Sequence, residues 1–425
     1  MEAELDKRKV RKVFEKIEKP IMPIVEKMNV RGIKVDRKIL ANLSKRYHQE
    51  LRKLEKAIWE ESGVEFNINS TKMLSDILFN KLGLADKRQK KTPGGALSTR
   101  ESELEKIKDK HPIIEKILEY RELAKLLSTY IDAIPPLLDK GSRLHSTFLQ
   151  AGSTTGRMAS NNPNLQNIPT KTALGRAIRD AFVSEKGSKL VALDYSQIEL
   201  RIAAILSQDK KLVEIFQNGE DAHAGVASRV FQVPVDKVDK SMRIKAKTIN
   251  FGILYGMGVN ALKVNLGTDR KEAQEFYNQY FQTFKELASY IDKIKAEASR
   301  KGYTETLFGR RRYFTGFKSS LPYVRAQAER MAVNAPLQGT QADIIKIAMK
   351  KIDDYLEEEG KSDFAHLILQ VHDELVYEVK DSFVDEATKN FKQIMENVLP
   401  EKETKGVPII AEVSTGDNWG DMKKI

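Results

Sequence analysis

The sequence predicts an α+β protein in which one sheet-bearing domain is split by a helical insertion and preceded by a helical arm. Three observations carry this reading. Strand-forming runs fall in two separate blocks, RLHSTFLQ and KLVALDY within 143–195, then FAHLILQVHDELVYEV and VPIIAEVS within 364–414. Residues 197–300 between them show mainly helical periodicity. The first 140 residues are helical in pattern and rich in Lys and Arg.

Each element has its own signal. Residues 4–29 and 37–61 carry apolar residues at helical spacing; GIKVD between them is a turn into a strand, with Asp36 as N-cap of the second helix. Another helix starts near Ser70. The basic loop ADKRQKKTPGGAL follows, and Ser98–Glu101 reads as a capping box for the next helix. HPIIEKILEYRELAKLLSTYIDAIPPLL is a long helix stopped by Pro135-Pro136. RLHSTFLQ alternates like a strand and leads into AGSTTGRMASNNPNLQNIP, a loop long enough to suggest function. KLVALDY is a short apolar strand. GYTETLFGRRRYF is a hairpin or turn, 321–359 a helix, FAHLILQVHDELVYEV a hairpin, 382–398 a helix and VPIIAEVS a final strand.

Bulk composition narrows the class. A chain of 425 residues with 41% hydrophobic content supports a large core and two to four subdomains. With no cysteine, disulfides and thiolate metal sites are excluded. The start, MEAELDKRKV, lacks an apolar signal region, and no apolar run is long enough to span a bilayer. A soluble, intracellular protein is the expectation. The net charge of +12 favours polyanionic partners, membranes and acidic proteins being the other candidates. Residues 1–150 hold 32 Lys and Arg against 23 Asp and Glu, the remainder 40 against 37, so the first third is the electrostatic grip. The abundance of Lys and Glu leans toward a thermophilic source.

The chemistry starts with two acids. In LILQVHDELVYEV, pairing of the flanking runs puts His372 and Asp373 at the tip of a tight turn, where shape alone favours Asn-Gly or Asp-Gly. Asp194 ends the apolar run KLVAL. Taken singly, each reads as a solvated strand end. If the two strands are neighbours, the carboxylates converge and repel unless a cation lies between them. Hard oxygen ligands suit Mg²⁺, and two such ions about 4 Å apart serve phosphoryl transfer.

Arg243, Lys247, Phe251 and Tyr255 recur every four residues and form one stripe of a helix, with Gly252 and Gly256 after the rings. Cations suit a triphosphate, rings a sugar or base, and glycines leave room for a flat partner. The plainer alternative is an amphipathic helix with exposed basic residues. His223 opens another helix; alone it reads as a surface or capping histidine, and beside Arg243 and Lys247 it becomes a third phosphate donor.

These segments together resemble the family A DNA polymerases, the bacterial DNA polymerase I group. DYSQIELR (194–201), RIKAKTINFGILYG (243–256) and VHDE (371–374) are similar to motifs A, B and C. STYIDAIP, TGRMASNNPNLQNIP, ETLFGRRR, ERMAVNAPLQGTQADIIK and the terminal GDNW resemble further family segments in the expected order. The resemblance implies a right-hand fold with an antiparallel-sheet palm (139–205 and 331–425), helical fingers (206–330) and a helical thumb (1–138). It implies a DNA-directed DNA polymerase that adds dNTPs to a primer 3′-OH, using two Mg²⁺ ions, with Mn²⁺ as a substitute. Asp194 and Asp373 match the metal-binding aspartates and Glu374 the acid beside them. Arg243, Lys247 and His223 match triphosphate ligands. Phe251 and Tyr255 match residues packing on the nucleotide and templating position. Glu199 matches the residue that excludes a 2′-hydroxyl. Arg157, Arg330, Asn334, Gln338 and His372 match primer–template contacts. Donors such as Arg157 and Gln338 suit minor-groove acceptors that every base pair presents alike.

The resemblance further implies a monomeric, cytoplasmic, nucleoid-associated protein. The loop reads MASNNPNL where the family pattern is nearer LSSTDPNL, which leaves the role of Arg157 intact. The chain begins at the thumb, and residues 1–150 contain no apolar strand ending in Asp-x-Glu; the expectation is no 3′→5′ or 5′ nuclease domain. A single-subunit RNA polymerase and a catalytically inactive DNA-binding relative are the alternatives.

Overall fold

In the computed structural model, which describes residues 2–86, 89–170 and 172–425, KLVALDY of the first strand-forming block meets the strands of the second block in one sheet. The strands in chain order are β1 Ile33–Val35, β2 Arg143–Leu144, β3 Thr147–Leu149, β4 Ala159–Asn161, β5 Phe182–Val183 and β6 Ser188–Tyr195. They continue as β7 Tyr303–Glu305, β8 Arg311–Tyr313, β9 Ala365–Val371, β10 Glu374–Lys380, β11 Ala411–Gly416 and β12 Lys423–Lys424. The main sheet is antiparallel in the order β12-β11-β6-β10-β9. Its middle strand, β6, is buried from Leu190 to Leu193, which is why its sequence is a continuous apolar run rather than an alternating one. The helix Val384–Glu396 packs on β6, β10 and β11, and the helix Lys19–Arg31 on β9.

Between β6 and β9 the chain is almost wholly helical. It begins with the helix Ile198–Ser207 and ends with Pro322–Glu358, a helix of 37 residues that returns to the sheet domain. One continuous hydrophobic core joins the sheet, this insertion and the first helices. A separate core, built from Ile58, Leu74, Leu78, Leu104, Ile113 and Ile117, holds the far part of the N-terminal arm.

Several expected elements differ in detail. The helix expected over 4–29 breaks at Lys9, whose φ is +54°, and runs on from Arg11 to Arg31. Asp36 caps the next helix, accepting from the Lys38 and Ile39 amides. The capping box at Ser98–Glu101 does not form. Ser98 is buried and its hydroxyl accepts from the Arg100 amide at 3.4 Å, so the helix starts only at Glu101. Lys87 and Arg88 of the preceding basic loop lie outside the described residues. RLHSTFLQ is two strands, not one: β2 joins β1, and β3 joins β4. The break falls at Ser146, whose buried hydroxyl donates to the Pro163 carbonyl at 2.7 Å. The long loop after it is thereby partly ordered as β4. The strand expected over 407–414 begins at Ala411, not Val407, because Pro408 has no N–H to give a ladder, and it is not the final one, since β12 follows and pairs with it.

Candidate active site

The β6–β10 ladder places Glu374 directly opposite Asp194, and the Tyr195 amide donates to the Asp373 carbonyl at 3.2 Å. The Asp194 and Asp373 carboxyls are in hydrogen-bond contact. His372 and Asp373 form the two-residue turn between β9 and β10, and His372 has φ +54°. Such a conformation is strained for a residue with a side chain and survives where its surroundings fix it. Here two amide donors do so: Gln341 Nε2 and Gln370 Nε2 each donate to the His372 carbonyl at 2.9 Å.

Acid crowding shapes the electrostatics. Desolvation first, then the Asp373 charge, push the Asp194 carboxyl up to about 8. Burial raises Asp373, and burial raises Glu374 against the opposing charge of Arg179. Arg179 itself lies over the Trp419 ring at 3.8 Å. Two carboxyls in contact share one proton or one cation. Their oxygen-only donor set and their mutual repulsion fit a hard divalent ion. Among the described residues no group of three or more His, Asp or Glu is gathered for a metal, so the chain offers a pair rather than a cage.

Glu199 stands beside this pair on the first turn of the helix that follows β6. It is buried, and its two oxygens accept from Arg157 Nη2 and, at 3.0 Å, from the Tyr255 hydroxyl. Burial raises its acid, while Arg157 and Tyr255 oppose that rise. Gln338 also reaches the Tyr255 hydroxyl. Arg157 Nε donates to Gln341 Oε1 at 2.9 Å. Tyr255, Glu199, Arg157, Gln341 and the His372 carbonyl thus form one connected chain of hydrogen bonds.

The stripe on the helix Lys240–Leu254 is present, with one correction. Tyr255 follows the last helical residue, and Gly256, at φ +67°, ends the helix rather than continuing it. Nor do the glycines leave space for a flat partner. A Cβ on Gly252 would meet Met257 Sδ at 2.9 Å, and one on Gly256 would meet Arg330 Cγ at 2.7 Å. They permit close packing within the chain. Phe251 and Tyr255 are exposed. Arg243 is exposed but engaged: its Nη2 pairs with Asp221 at 2.8 Å, holding that acid below the usual carboxylate range. Lys247 is exposed. His223 is buried, not a surface residue. It meets Asn250 Nδ2 at 3.2 Å and packs at 5.7 Å on Phe251, and desolvation lowers its pKa. Arg243 lies twelve residues, roughly 18 Å, along the helix from Tyr255. The structure therefore gathers Asp194, Asp373, Glu374, Glu199, Arg157, Tyr255, Gln338 and His372; Arg243 stands near the other end of that helix, Lys247 in its middle, and His223 packs from another helix beside Asn250 and Phe251.

Arg330, Asn334 and Gln338 recur every four residues on the long helix, Arg330 exposed and the others half-buried. Sequence reasoning missed Gln341, Gln370 and Gln166, which donates from Nε2 to the Gln370 carbonyl at 3.0 Å. The spacing held a hint for one of them: Gln341 continues the 330–334–338 face by a further turn.

A sheet bearing two touching aspartates, covered by a helical insertion with a cationic stripe and preceded by a helical arm, defines a right-hand nucleic-acid polymerase domain. The chain belongs to DNA polymerase family A, whose family model matches residues 37–421. It is 45% identical over 97% of its length to the thermostable DNA polymerase I of Thermus aquaticus, of which it covers 49%. It is 43% identical to DNA polymerase I of Rhizobium leguminosarum, covering 96% of this chain and 40% of that protein. Among solved structures it is similar to the polymerase domain of Pol1 from M. smegmatis in complex with DNA primer-template and dNTP. That match has a TM-score of 0.92 and 36% identity, and covers 98% of this chain and 72% of the other. The chain spans half or less of the length of these curated relatives.

Proposed function

We propose that the chain extends a DNA primer by template-directed addition of dNTPs, and that the contact between Asp194 and Asp373 is where phosphoryl transfer takes place. In this reading residues 139–205 and 331–425 are the palm, 206–330 the fingers and 1–138 the thumb. Asp194 and Asp373 would hold the metal, with water and triphosphate oxygens completing the shell that the chain leaves open. Bound there, two Mg²⁺ ions, or Mn²⁺, would favour the ionised primer 3′-hydroxyl and neutralise charge on the departing pyrophosphate. Glu374 contributes further negative potential from the ladder position opposite Asp194.

The remaining residues position the partners. Arg243 and Lys247 bind the triphosphate, Arg243 by exchanging Asp221 for phosphate oxygens. His223 assists them at the triphosphate, and its packing on Phe251 sets the ring against which the nucleotide packs. The exposed ring of Tyr255 stacks on the base or the templating position. Glu199, held by Tyr255 and Arg157, fills the space beneath C2′. Arg157 and Gln338 donate to minor-groove acceptors, while Arg330, Asn334 and His372 line the path of the primer–template. Closing of the fingers brings the cationic end of the helix to the nucleotide. The protein acts as a cytoplasmic monomer. Among the described residues no helix is long and apolar enough to cross a membrane.

Extension of an end-labelled primer with dNTPs, and in parallel with rNTPs, tests this reading. Ladder formation with dNTPs and Mg²⁺ is expected. Extension only with rNTPs would replace it by an RNA polymerase, and no extension with either Mg²⁺ or Mn²⁺ by an inactive DNA-binding relative.

A further inference from the structure

Gln341 is fully buried in the middle of the long helix, with apolar Leu337, Ile344 and Ile345 around it in sequence. Both ends of its amide are used, and by different parts of the chain. Oε1 accepts from Arg157 Nε at 2.9 Å, and Nε2 donates to the His372 carbonyl at 2.9 Å. The partners fix the amide's orientation: a guanidinium only donates and a carbonyl only accepts, so a flipped amide would break both bonds. A buried glutamine that merely satisfied itself would need no such pair. These two partners lead in opposite directions, Arg157 to the Glu199 carboxylate and His372 to the strained turn carrying Asp373.

We infer that Gln341 is a positioning residue that locks the Arg157 guanidinium to the Asp373 turn, so that the floor beneath the sugar and the reacting acids keep one fixed spacing. The inference rests on the polymerase reading above and deepens it. Gln370 alone can keep the His372 carbonyl satisfied, so loss of Gln341 does not orphan that oxygen. Arg157 Nε, by contrast, loses its acceptor, and the guanidinium is then held only through Glu199. Small displacements of this kind weigh heavily in a transfer reaction, where geometry supplies much of the rate.

Two variants separate the halves of the link. Gln341→Met keeps length and volume and removes both bonds. Gln341→Glu keeps the acceptor for Arg157 and removes the donor to His372. Steady-state extension is measured with dNTPs and rNTPs, beside primer–template affinity and the thermal unfolding midpoint. For Gln341→Met, kcat with dNTPs is expected to fall about tenfold to a hundredfold. KM for dNTP and primer–template affinity hold, and the preference for dNTPs over rNTPs weakens. For Gln341→Glu the sugar preference returns while kcat stays low. Wild-type kcat and sugar preference in Gln341→Met would overturn the inference. So would a fall in activity that merely tracks a lowered unfolding midpoint and is equal in both variants. If the unmodified chain extends no primer, the polymerase reading fails and carries the inference with it; if that chain extends primers normally and only the variants show no effect, the inference alone fails.

Discussion

Asp194 stands directly across the β6–β10 ladder from Glu374, so the backbone pairing itself sets the distance between the two acidic strand ends. The register runs unbroken from that pair to Ser188 and Lys380. A slip of one residue would turn Asp194 to the opposite face and bury it without Asp373. The apolar run Leu190–Leu193 therefore has a chemical consequence: its burial fixes where the carboxylate emerges.

Asp194→Asn and Asp373→Asn should each reduce primer extension about a thousandfold or more, because each removes half of the acid pair proposed to hold the divalent ions. Primer–template affinity should change little. Gel extension assays beside fluorescence anisotropy measure both quantities, and near-normal turnover in either variant would remove the pair from the reaction.

The raised acid of Asp194 predicts a pH-dependent stability in the absence of divalent ions. Desolvation and the neighbouring Asp373 push its carboxyl up to about 8 from its ordinary 3.8, so the folded chain keeps a proton that the unfolded chain releases. That contribution is complete below pH about 4 and is lost as pH rises toward 8. Buried His223, half-buried His366 and the turn residue His372 act oppositely, since desolvation lowers them and their contribution is lost as pH falls below their ordinary value of 6.5. Above 6.5 the falling slope belongs to the raised acids of the site, Asp194 together with Asp373, Glu374 and Glu199. In EDTA the unfolding midpoint should fall from pH 6.5 to 8, Asp194→Asn should reduce the slope, and Mg²⁺ should reverse it with release of protons on binding. A midpoint rising across this window in EDTA, unchanged by Asp194→Asn, would contradict the assignment.

Arg243 is held by Asp221, which also caps its own helix by accepting from the Ala224 amide at 2.8 Å. Asp221→Asn keeps an acceptor for the cap and removes the charge that competes with phosphate. The KM for dNTP should fall a few-fold, roughly the worth of an exposed ion pair, with little change in stability. Arg243→Ala should raise KM instead. Titration of initial rates against dNTP concentration reads both effects, and a KM that rises in Asp221→Asn would show that the pair aids binding.

Much of this site was legible because the chemistry lies on regular elements. A carboxylate ending a buried strand, a second acid on a turn without glycine and cations every four residues on a helix all follow from periods of two and 3.6. What escaped was set by tertiary partners. Ser98 looks like a helix cap but is buried and serves the Arg100 amide. Gly256 fits a helical stripe but ends the helix against Arg330. Arg243 looks like a free cation because Asp221 lies on another helix. Gln341 is hidden for the same reason, since Arg157 and His372 reach it from 184 and 31 residues away.

The Tyr255 hydroxyl and Arg157 together hold Glu199. Glu199→Ala should open space beneath C2′ and improve rNTP use relative to dNTP by about tenfold to a hundredfold. Tyr255→Phe removes one of the two holds and keeps the ring, so it should weaken sugar selection less. Competitive incorporation from mixed nucleotides measures the ratios; unchanged selection in Glu199→Ala would remove that residue from the nucleotide pocket.

The N-terminal segment is tied to the long helix by a buried ionic cluster that carries no net charge. Lys346, 1% exposed at its side chain, donates to Glu18 at 2.7 Å and to the Gln150 carbonyl at 3.2 Å. Glu18 also meets Arg310, whose Nε donates to buried Asp343 at 2.7 Å. Removing one member leaves the others unbalanced, whereas removing an opposite pair does not. Lys346→Met should therefore destabilise the fold by about 3 kcal/mol, because Glu18 and Asp343 then share the single cation Arg310. Adding Glu18→Gln should recover much of that loss, since it restores neutrality while keeping a hydrogen-bonding side chain beside Gln150. Chemical denaturation of the two single variants and the double gives the coupling energy. Additive losses would show that these groups are independent and that apolar packing alone holds the first helices against the sheet domain.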